Sequence, residues 1–254
     1  MDKTLLKGLS MLEMLVESSG EVRSVEDVAV LTGLTRSNAH RTLQTLISAG
    51  YVEKSSGGYR STLKMFELGV RQMQSLDVRK LAHPYISQLS KDSGETAHLS
   101  VLDGLDVIYI DKVDSLQPIR AYSRIGGRGP AYAVATGKAL LAAQGESYLM
   151  AYVDQLERFT PETIHEFEAL KLELAKIRRI GYAVNRGEWR EGVGGVAAVV
   201  YDGFDVPVAA IGISGPLDRL SVARMKDLAP KVLSYSQELS KALGYRRGYF
   251  GESV

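Results

Sequence analysis

Hydrophobic residues recur at helical spacing in three short segments near the start of the chain. Their apolar positions are Leu5, Leu9, Leu12 and Val16, then Val25, Val28 and Ala29, then Ala39, Leu43, Leu46 and Ile47. Ser24 with Asp27 resembles a capping box before the second segment, and Gly33 is a typical C-terminal stop. Thr35 is a suitable N-cap for the third segment. Two short helices joined by a tight turn match the helix-turn-helix pattern.

Two β-prone runs follow the third helix. Tyr51–Lys54 and Tyr59–Thr62 flank the polar, glycine-containing segment Ser55–Gly58, and this order predicts a hairpin. Three helices followed by a hairpin form a winged helix-turn-helix, so we assign residues 1–62 to a DNA-binding domain. In this architecture the second helix of the motif enters the major groove.

The outward face of the third helix is polar, and no acid occurs between Leu34 and Val52. Such a face can approach phosphates without repulsion and donate hydrogen bonds to base edges. A solvated amphipathic helix is the alternative, although it usually mixes both signs of charge. The residues predicted to contact DNA are Thr35, Arg36, Ser37, Asn38, His40 and Arg41 in the helix and Lys54 and Arg60 in the hairpin.

The positive charge of this region is local and modest. Between Leu34 and Phe66, five basic residues stand against one acid, an excess of four charges. One copy with so small an excess is expected to bind DNA weakly. We therefore expect at least a homodimer that reads a palindromic operator.

The composition narrows the class of protein. A chain of 254 residues with 45% hydrophobic content can form two domains with proper cores, and its net charge of +1 is no general nucleic-acid signature. No cysteine is present and the four histidines lack metal-ligand spacing, so we predict neither metal nor cofactor. We find no signal-peptide pattern and no apolar run of membrane-spanning length. We therefore expect a cytoplasmic protein with no membrane partner.

The remainder of the chain predicts a helical linker at 63–90 and an α+β domain with a largely antiparallel sheet at 91–254. The predicted strands are Thr96–Leu102, Val107–Asp111, Ile119–Arg124, Val193–Tyr201 and Val206–Ile213. The predicted helices are Gly137–Ala143, Glu162–Ile180 and Ser221–Leu243, the last with a possible kink at Pro230.

The segment Ala133–Ala139 ends a loop and begins a helix. The amides of Ala135 and Thr136 would lie at the helix N-terminus, where unpaired N–H groups and the helix dipole favour an anion. Gly137 and Lys138 superficially resemble a phosphate loop. The required earlier glycine is missing, however, and Ala139 replaces the Ser or Thr that would bind magnesium. A carboxylate is therefore the simplest ligand for this site.

The order and spacing of several segments together resemble the IclR family of transcriptional regulators over nearly the whole chain. The segments are Thr35–Leu43, Leu46–Val52, Gly94–Leu99, Val107–Val113, Ala135–Leu141, Arg179–Tyr182, Glu191–Val193 and Ile213–Pro216. The resemblance implies a winged helix-turn-helix, a helical linker and a GAF-like domain that binds a small effector. It also implies homodimers, often paired into homotetramers, on palindromic operator DNA.

The resemblance also implies which side chains close the effector pocket. In the family an Asp is common at the position of Asn185, a Cys at Gly195, and Ser at both Gly212 and Ser214. Two missing side chains and one missing negative charge predict a roomier, less acidic pocket, although the glycines could instead serve tight strand packing. We expect an organic acid that is aromatic or otherwise larger than pyruvate. The predicted effector contacts are Tyr132, Ala135, Thr136, Asn185, Gly195, Gly212 and Ser214, with Tyr122 and Trp189 as further aromatic candidates that could equally be core or surface residues.

An enzyme and a scaffold are the rival classes. Glu188 and Glu191 could form an acid–base pair, and His98 and Ser100 lie on one face of a predicted strand. Neither set has a third, orienting group in recognisable register, and no nucleophile-elbow motif is present. Solvated carboxylates and a core histidine explain both sets, so we predict no catalytic residue. A pure scaffold would not need a helix start suited to an anion.

Overall fold

The computed structural model describes residues 3–18, 21–68, 78–121 and 123–246. Its contacts divide the chain into two compact units, Met1–Leu76 and Asp77–Val254. The two units are described separately.

The first unit contains three helices and a hairpin, as the sequence predicts. Its elements are α1 (Lys3–Glu17), α2 (Val25–Thr32), α3 (Arg36–Ser48), β1 (Val52–Ser55) and β2 (Gly58–Ser61). Ser24 and Asp27 make both hydrogen bonds of a capping box, and Gly33 ends α2 in the left-handed conformation with φ of 64°. The Thr35 side chain accepts a bond from the Asn38 amide. The predicted helix boundaries are thus confirmed by local capping chemistry.

A small apolar core holds these helices together. Met11 and Leu15 of α1, Val28 of α2 and Leu43 of α3 are fully buried in one cluster. The wing joins this core through Val52, and its base is tied to the chain before α2 by two backbone hydrogen bonds between Arg23 and Tyr59. The packing therefore fixes the orientation of α3 relative to the wing.

The segment expected as a helical linker, 63–90, does not form a single element in the described residues. Residues 64–68 are helical, and 69–77 lie outside the described residues. A second helix, α4 (Val78–Ser93), belongs to the second unit, because its residues Ala82, Ile86 and Leu89 are fully buried in that unit's core. These contacts place residues 78–90, the last part of the expected linker, in the second unit.

Besides α4, the elements of the second unit are β3 (Thr96–Asp103), β4 (Asp106–Val113), β5 (Arg128–Pro130), α5 (Ala135–Ala142), α6 (Glu146–Leu149), α7 (Phe167–Ile180), β6 (Ala183–Arg186), β7 (Val193–Tyr201), β8 (Pro207–Pro216) and α8 (Val222–Ala242). The six strands form one antiparallel sheet in the order β5-β4-β3-β8-β7-β6. Single 3₁₀ turns occupy Ala131–Ala133 and Met150–Tyr152.

Both faces of the sheet are covered. Alternate residues of β7 point to opposite sides: Val196 and Ala198 belong to the cluster that includes α4 and α8, and Ala197 and Val199 to the cluster that includes α5 and α7. Because neither face meets water, β7 is apolar throughout instead of alternating. No helix within the described ranges is long and apolar enough to cross a membrane.

Two predicted elements differ from the structure. The described residues of Ile119–Arg124 form no strand, and the edge of β4 pairs at Asp106–Ile108 with β5. The helix predicted from Glu162 begins only at Phe167. The Thr160 and Thr163 hydroxyls donate to the backbone of the β6–β7 loop, and such side-chain bonds compete with a helical turn.

Candidate functional site

The predicted DNA-contacting surface lies on α3 and the wing of the first unit. Arg36 is the first residue of α3, and its side chain is 74% exposed. Its Nε lies 2.5 Å from Oε1 of Glu26 in α2. This acid lies outside the acid-free stretch from Leu34 to Val52, so no local pattern predicts that it meets Arg36. The ion pair reduces the positive charge at the start of α3.

The other basic residues of the surface differ in their partners. Arg41 donates to the Asn38 side chain at 3.0 Å, and Arg60 forms an ion pair with Glu53 at 2.6 Å across the wing. No acid in the described part of the chain lies within ion-pair distance of Arg41 or Lys54. Arg41 of α3 and Lys54 of the wing therefore carry the uncompensated positive charge of this surface. His40, next to Arg41 in α3, is also exposed. Thr35 is occupied as the helix cap.

The second unit contains a cavity of about 270 Å³, here called the inner cavity. It lies where the start of α5 faces the ends of β7 and β8. Its lining residues are His98, Tyr109, Arg120, Ala121, Ser123, Val134, Ala135, Thr136, Asn185, Trp189, Arg190, Glu191, Val193, Gly195, Ile213 and Ser214. Five of the seven predicted effector contacts therefore meet in one place, together with Trp189.

The first turn of α5 opens into this cavity. Val134 is the N-cap, and no side chain caps the helix, so the first amides of α5 have no side-chain acceptor. Gly137 lies so close to the backbone of Ala131 that a Cβ atom would overlap it. This contact holds the start of α5 against the preceding turn. Ala135 and Thr136 thus present a helix N-terminus suited to an anion.

Asn185 faces the same cavity and is held by a buried ion pair. Its Oδ1 accepts a hydrogen bond of 2.9 Å from the Glu188 amide. The Glu188 carboxylate lies 2.5 Å from Nζ of the fully buried Lys138, and Glu173 lies 3.7 Å from the same atom. Burial raises the pKa of Glu188, and the charge of Lys138 acts against that shift. Glu188 is therefore a structural partner of Lys138, whereas Glu191 lines the cavity.

His98 and Ser214 form a polar pair in the cavity wall. Nε2 of His98 lies 2.7 Å from Oγ of Ser214, and the ring is tilted against Tyr109 at 5.0 Å between centroids. Burial, with a smaller effect of Lys112, lowers the pKa of His98 to about 4, so the imidazole is neutral at pH 7. Nδ1 has no hydrogen-bond partner in the described part of the chain. The pair thus lacks the third group that orients a general base.

Two predicted effector contacts do not line the cavity. The Tyr132 hydroxyl is bonded to the Glu157 backbone, and its ring belongs to the core. A Cβ atom on Gly212 would lie 2.6 Å from both Cβ of Ala197 and the carbonyl oxygen of Val196. Gly212 therefore serves close strand packing and does not enlarge the cavity. Tyr122 lies outside the described residues.

Gly195 does line the cavity, although space is limited there as well. A Cβ atom at this position would lie 2.7 Å from the carbonyl oxygen of Ile213 and 3.7 Å from Cβ of Ala135. Close packing against β8 is therefore one reason for a glycine at this position. The missing side chain of Gly195 also leaves some space in the cavity, so the prediction of a roomier pocket holds for this residue only in part.

Several lining residues were not predicted. The sequence pattern indicates a core position for His98, and no motif indicates that Arg120, Ser123 or Arg190 lines a cavity. The pairing of β3 with β8 brings His98 beside Ser214, and no short motif encodes that pairing. Among the described residues no group of three or more acids, histidines or cysteines is placed to hold a metal ion.

Comparison with known proteins accounts for both units. Residues 4–56 match the IclR helix-turn-helix domain, and residues 70–241 match the bacterial transcriptional regulator IclR C-terminal domain. The chain is 35% identical over 243 residues to the HTH-type transcriptional regulator XynR of Escherichia coli, covering 94% of this chain and 96% of that protein. It is also 35% identical to the E. coli regulator KdgR over 91% of this chain and 90% of that protein. The crystal structure of Thermotoga maritima IclR superimposes with a TM-score of 0.64 at 33% identity, covering 95% and 99% of the two chains. The chain is a DNA-binding transcriptional regulator and belongs to the IclR family.

Proposed function

We propose that the protein is a cytoplasmic regulator that binds palindromic operator DNA as a homodimer, paired into a homotetramer, and responds to a small organic acid. The acid occupies the inner cavity and changes the affinity for the operator. The observation that carries the effector half of this proposal is the uncapped start of α5, which opens into the inner cavity.

The DNA half rests on the shape and charge of the first unit. Arg36, Ser37, Asn38, His40 and Arg41 of α3 contact bases and phosphates in the major groove, while Lys54 and Arg60 of the wing contact phosphates. Arg36 must exchange its Glu26 partner for DNA. Because one copy carries few uncompensated charges, two copies on a palindrome are needed for tight binding.

The effector's carboxylate meets the amides of Ala135 and Thr136. The Ser214 hydroxyl donates to the same carboxylate, provided that it accepts its other hydrogen bond from Nε2 of His98. At about 270 Å³, the cavity lies near the lower end of the range of small-molecule sites, about 300–1,000 Å³. An acid larger than pyruvate fits this space, and an aromatic body would stack on Trp189.

The test begins by identifying the operator. Duplex DNA selected by the full-length protein from a random pool gives the operator probe, and a thermal-shift screen against aliphatic and aromatic carboxylic acids gives the effector. A ligand at 100 times its Kd should stabilise the protein by about 2.7 kcal/mol. We expect the selected DNA to be palindromic and the stabilising acid to change its affinity for the protein. A stabilising acid that leaves DNA affinity unchanged would refute the effector role.

A further inference from the structure

A second cavity of about 240 Å³, here called the outer lobe, adjoins the inner cavity. Four residues line both spaces: Tyr109, Ser123, Trp189 and Arg190. The remaining residues of the outer lobe are Arg124, Gly127 and Arg128. A ligand anchored in the inner cavity can therefore extend into a space lined by three arginines.

Two of these arginines are available for an anion. Arg128 is bound by Asp103 and Asp106 at 2.7 and 3.0 Å. In the described part of the chain, no acid lies within ion-pair distance of Arg124 or Arg190, and the two acids nearest the outer lobe in β3 and β4, Asp103 and Asp106, pair with Arg128. The outer lobe therefore carries two uncompensated cations, and no carboxylate lines it.

The fold holds both cations in place. A Cβ atom on Gly127 would lie 3.2 Å from Cγ of Arg124, so glycine leaves room for the Arg124 stem. The turn that carries Arg124 is bound to β4, because Tyr109 accepts from the Gly126 amide and donates to the Gly127 carbonyl. The Arg190 guanidinium lies 4.4 Å from the centre of the Trp189 ring, a cation–π contact that restricts it.

In the inner cavity, the Asn185 side chain offers a ligand a hydrogen-bond donor, whereas an ionised Asp at this position would offer only acceptors. Oδ1 of Asn185 is occupied by the Glu188 amide, which fixes the orientation of the side-chain amide. Its NH₂ group makes no hydrogen bond to another described residue, and Asn185 lines the inner cavity. A donor that faces the cavity without a protein partner is available to a ligand that supplies an acceptor.

We infer that the effector is a small dianion. Its inner carboxylate accepts from the first amides of α5 and from Asn185, and its second anionic group binds Arg124 and Arg190 in the outer lobe. The inference rests on the proposed effector role of the inner cavity and narrows the class of acid. A carboxylate and a phosphate share the chemistry that the outer lobe recognises.

Calorimetric titration of the full-length protein tests this inference with matched pairs of acids. Succinate, glutarate, adipate and pimelate are each compared with the monocarboxylate of the same carbon number. For the phosphate arm, 3-phosphoglycerate, whose phosphate carries about −1.5 to −2 charges at pH 7, is compared with glycerate. We expect at least one dianion to bind about tenfold more tightly than its monoanionic match, because a charge-assisted bond contributes about the 1.4 kcal/mol that corresponds to tenfold. The advantage should shrink at high salt, since the outer lobe is exposed.

Variants separate the two ends of the ligand. Arg124→Gln changes a residue that lines only the outer lobe, so it should reduce the dianion advantage and leave monoanion binding within about twofold of the parent. Adding Arg190→Gln, at a residue that lines both spaces, should remove the remaining advantage. Arg179→Gln removes one exposed guanidinium that lines neither space, and it should change nothing. Asn185→Asp keeps the acceptor for the Glu188 amide, adds a negative charge facing the ligand, and should weaken both classes of acid.

The outcomes distinguish this inference from the proposed function. If monoanions bind as tightly as dianions and still change DNA affinity, the inference of a dianionic effector is refuted and the proposed function stands. If dianions still bind more tightly than monoanions after both Arg124 and Arg190 are replaced, the outer lobe is not the site of the second anionic group. If no acid of either class binds, the proposed function and this inference both fail.

Discussion

Removing the buried cation of Lys138 should destabilise the second unit strongly. In Lys138→Met the apolar stem is replaced at similar volume, while the Glu188 carboxylate, 8% exposed, keeps its charge without its partner at 2.5 Å. Breaking a buried ion pair by removing one member costs about 3–5 kcal/mol, because the remaining charge is desolvated and uncompensated. For a unit of this size that loss lowers the midpoint of thermal unfolding by roughly 6–20 °C.

The assay can be confined to this unit, because Trp189 is the chain's single tryptophan and lies beside Glu188. Its fluorescence follows unfolding of the second unit in urea or on heating. Lys171→Met is the matched control: Lys171 also pairs with a glutamate, but both side chains are exposed, and its loss should cost less than about 1 kcal/mol. A Lys138→Met variant as stable as the Lys171→Met control would refute the reasoning.

The pH dependence of the loss in unfolding free energy caused by Lys138→Met gives a second check. Burial raises the pKa of Glu188 above its ordinary 4.5, and Lys138 counteracts that rise. In Lys138→Met the folded-state pKa rises further, so the folded protein binds this proton more tightly than the unfolded chain does. Stability is then greatest below the ordinary carboxyl pKa and is lost as the pH rises through the folded-state value. The deficit relative to the parent should be smaller at pH 5.5 than at pH 8, and Lys138→Met with Glu188→Gln should lose that dependence.

Further predictions concern the DNA surface and the sheet. Glu26→Gln releases Arg36 from its ion pair and should tighten DNA binding in a gel-shift titration, whereas Arg36→Ala should weaken it by roughly 1–3 kcal/mol if the arginine reads a guanine; equal affinity in both variants would contradict the assignment of α3. Lys54→Ala should weaken all duplexes alike and lower the salt slope by about one, and a selective loss on the operator alone would count against a phosphate contact. Gly212→Ala should cost about 1–3 kcal/mol in thermal unfolding, because its Cβ atom overlaps Ala197; an unchanged midpoint would show that the strands can part.

Local features of the sequence predicted the first unit well, because its boundaries are set by neighbours in the chain. Ser24 with Asp27, Gly33 and Thr35 each act on residues a few positions away. The ion pair of Arg36 with Glu26 escaped prediction, since only the packing of α2 against α3 brings the two side chains together.

The cavity was predicted only in part for the same reason. The helix start at Ala135 follows from local sequence, whereas the neighbourhood of His98 depends on the pairing of β3 with β8. Gly212 was expected to vacate space, but its register opposite Ala197 makes it a packing residue. The orientation of Asn185 depends on Glu188 and Lys138, which are fifty positions apart in sequence.

The most direct test of the central claim is the affinity of the full-length protein for its selected operator duplex, measured across a titration of the stabilising acid. The account predicts that the acid shifts operator affinity by a factor that Asn185→Asp reduces, while the affinity of that variant for DNA without acid stays that of the parent. An operator affinity that does not change at any acid concentration, although the acid binds in the inner cavity, would contradict the claim that this cavity controls DNA binding.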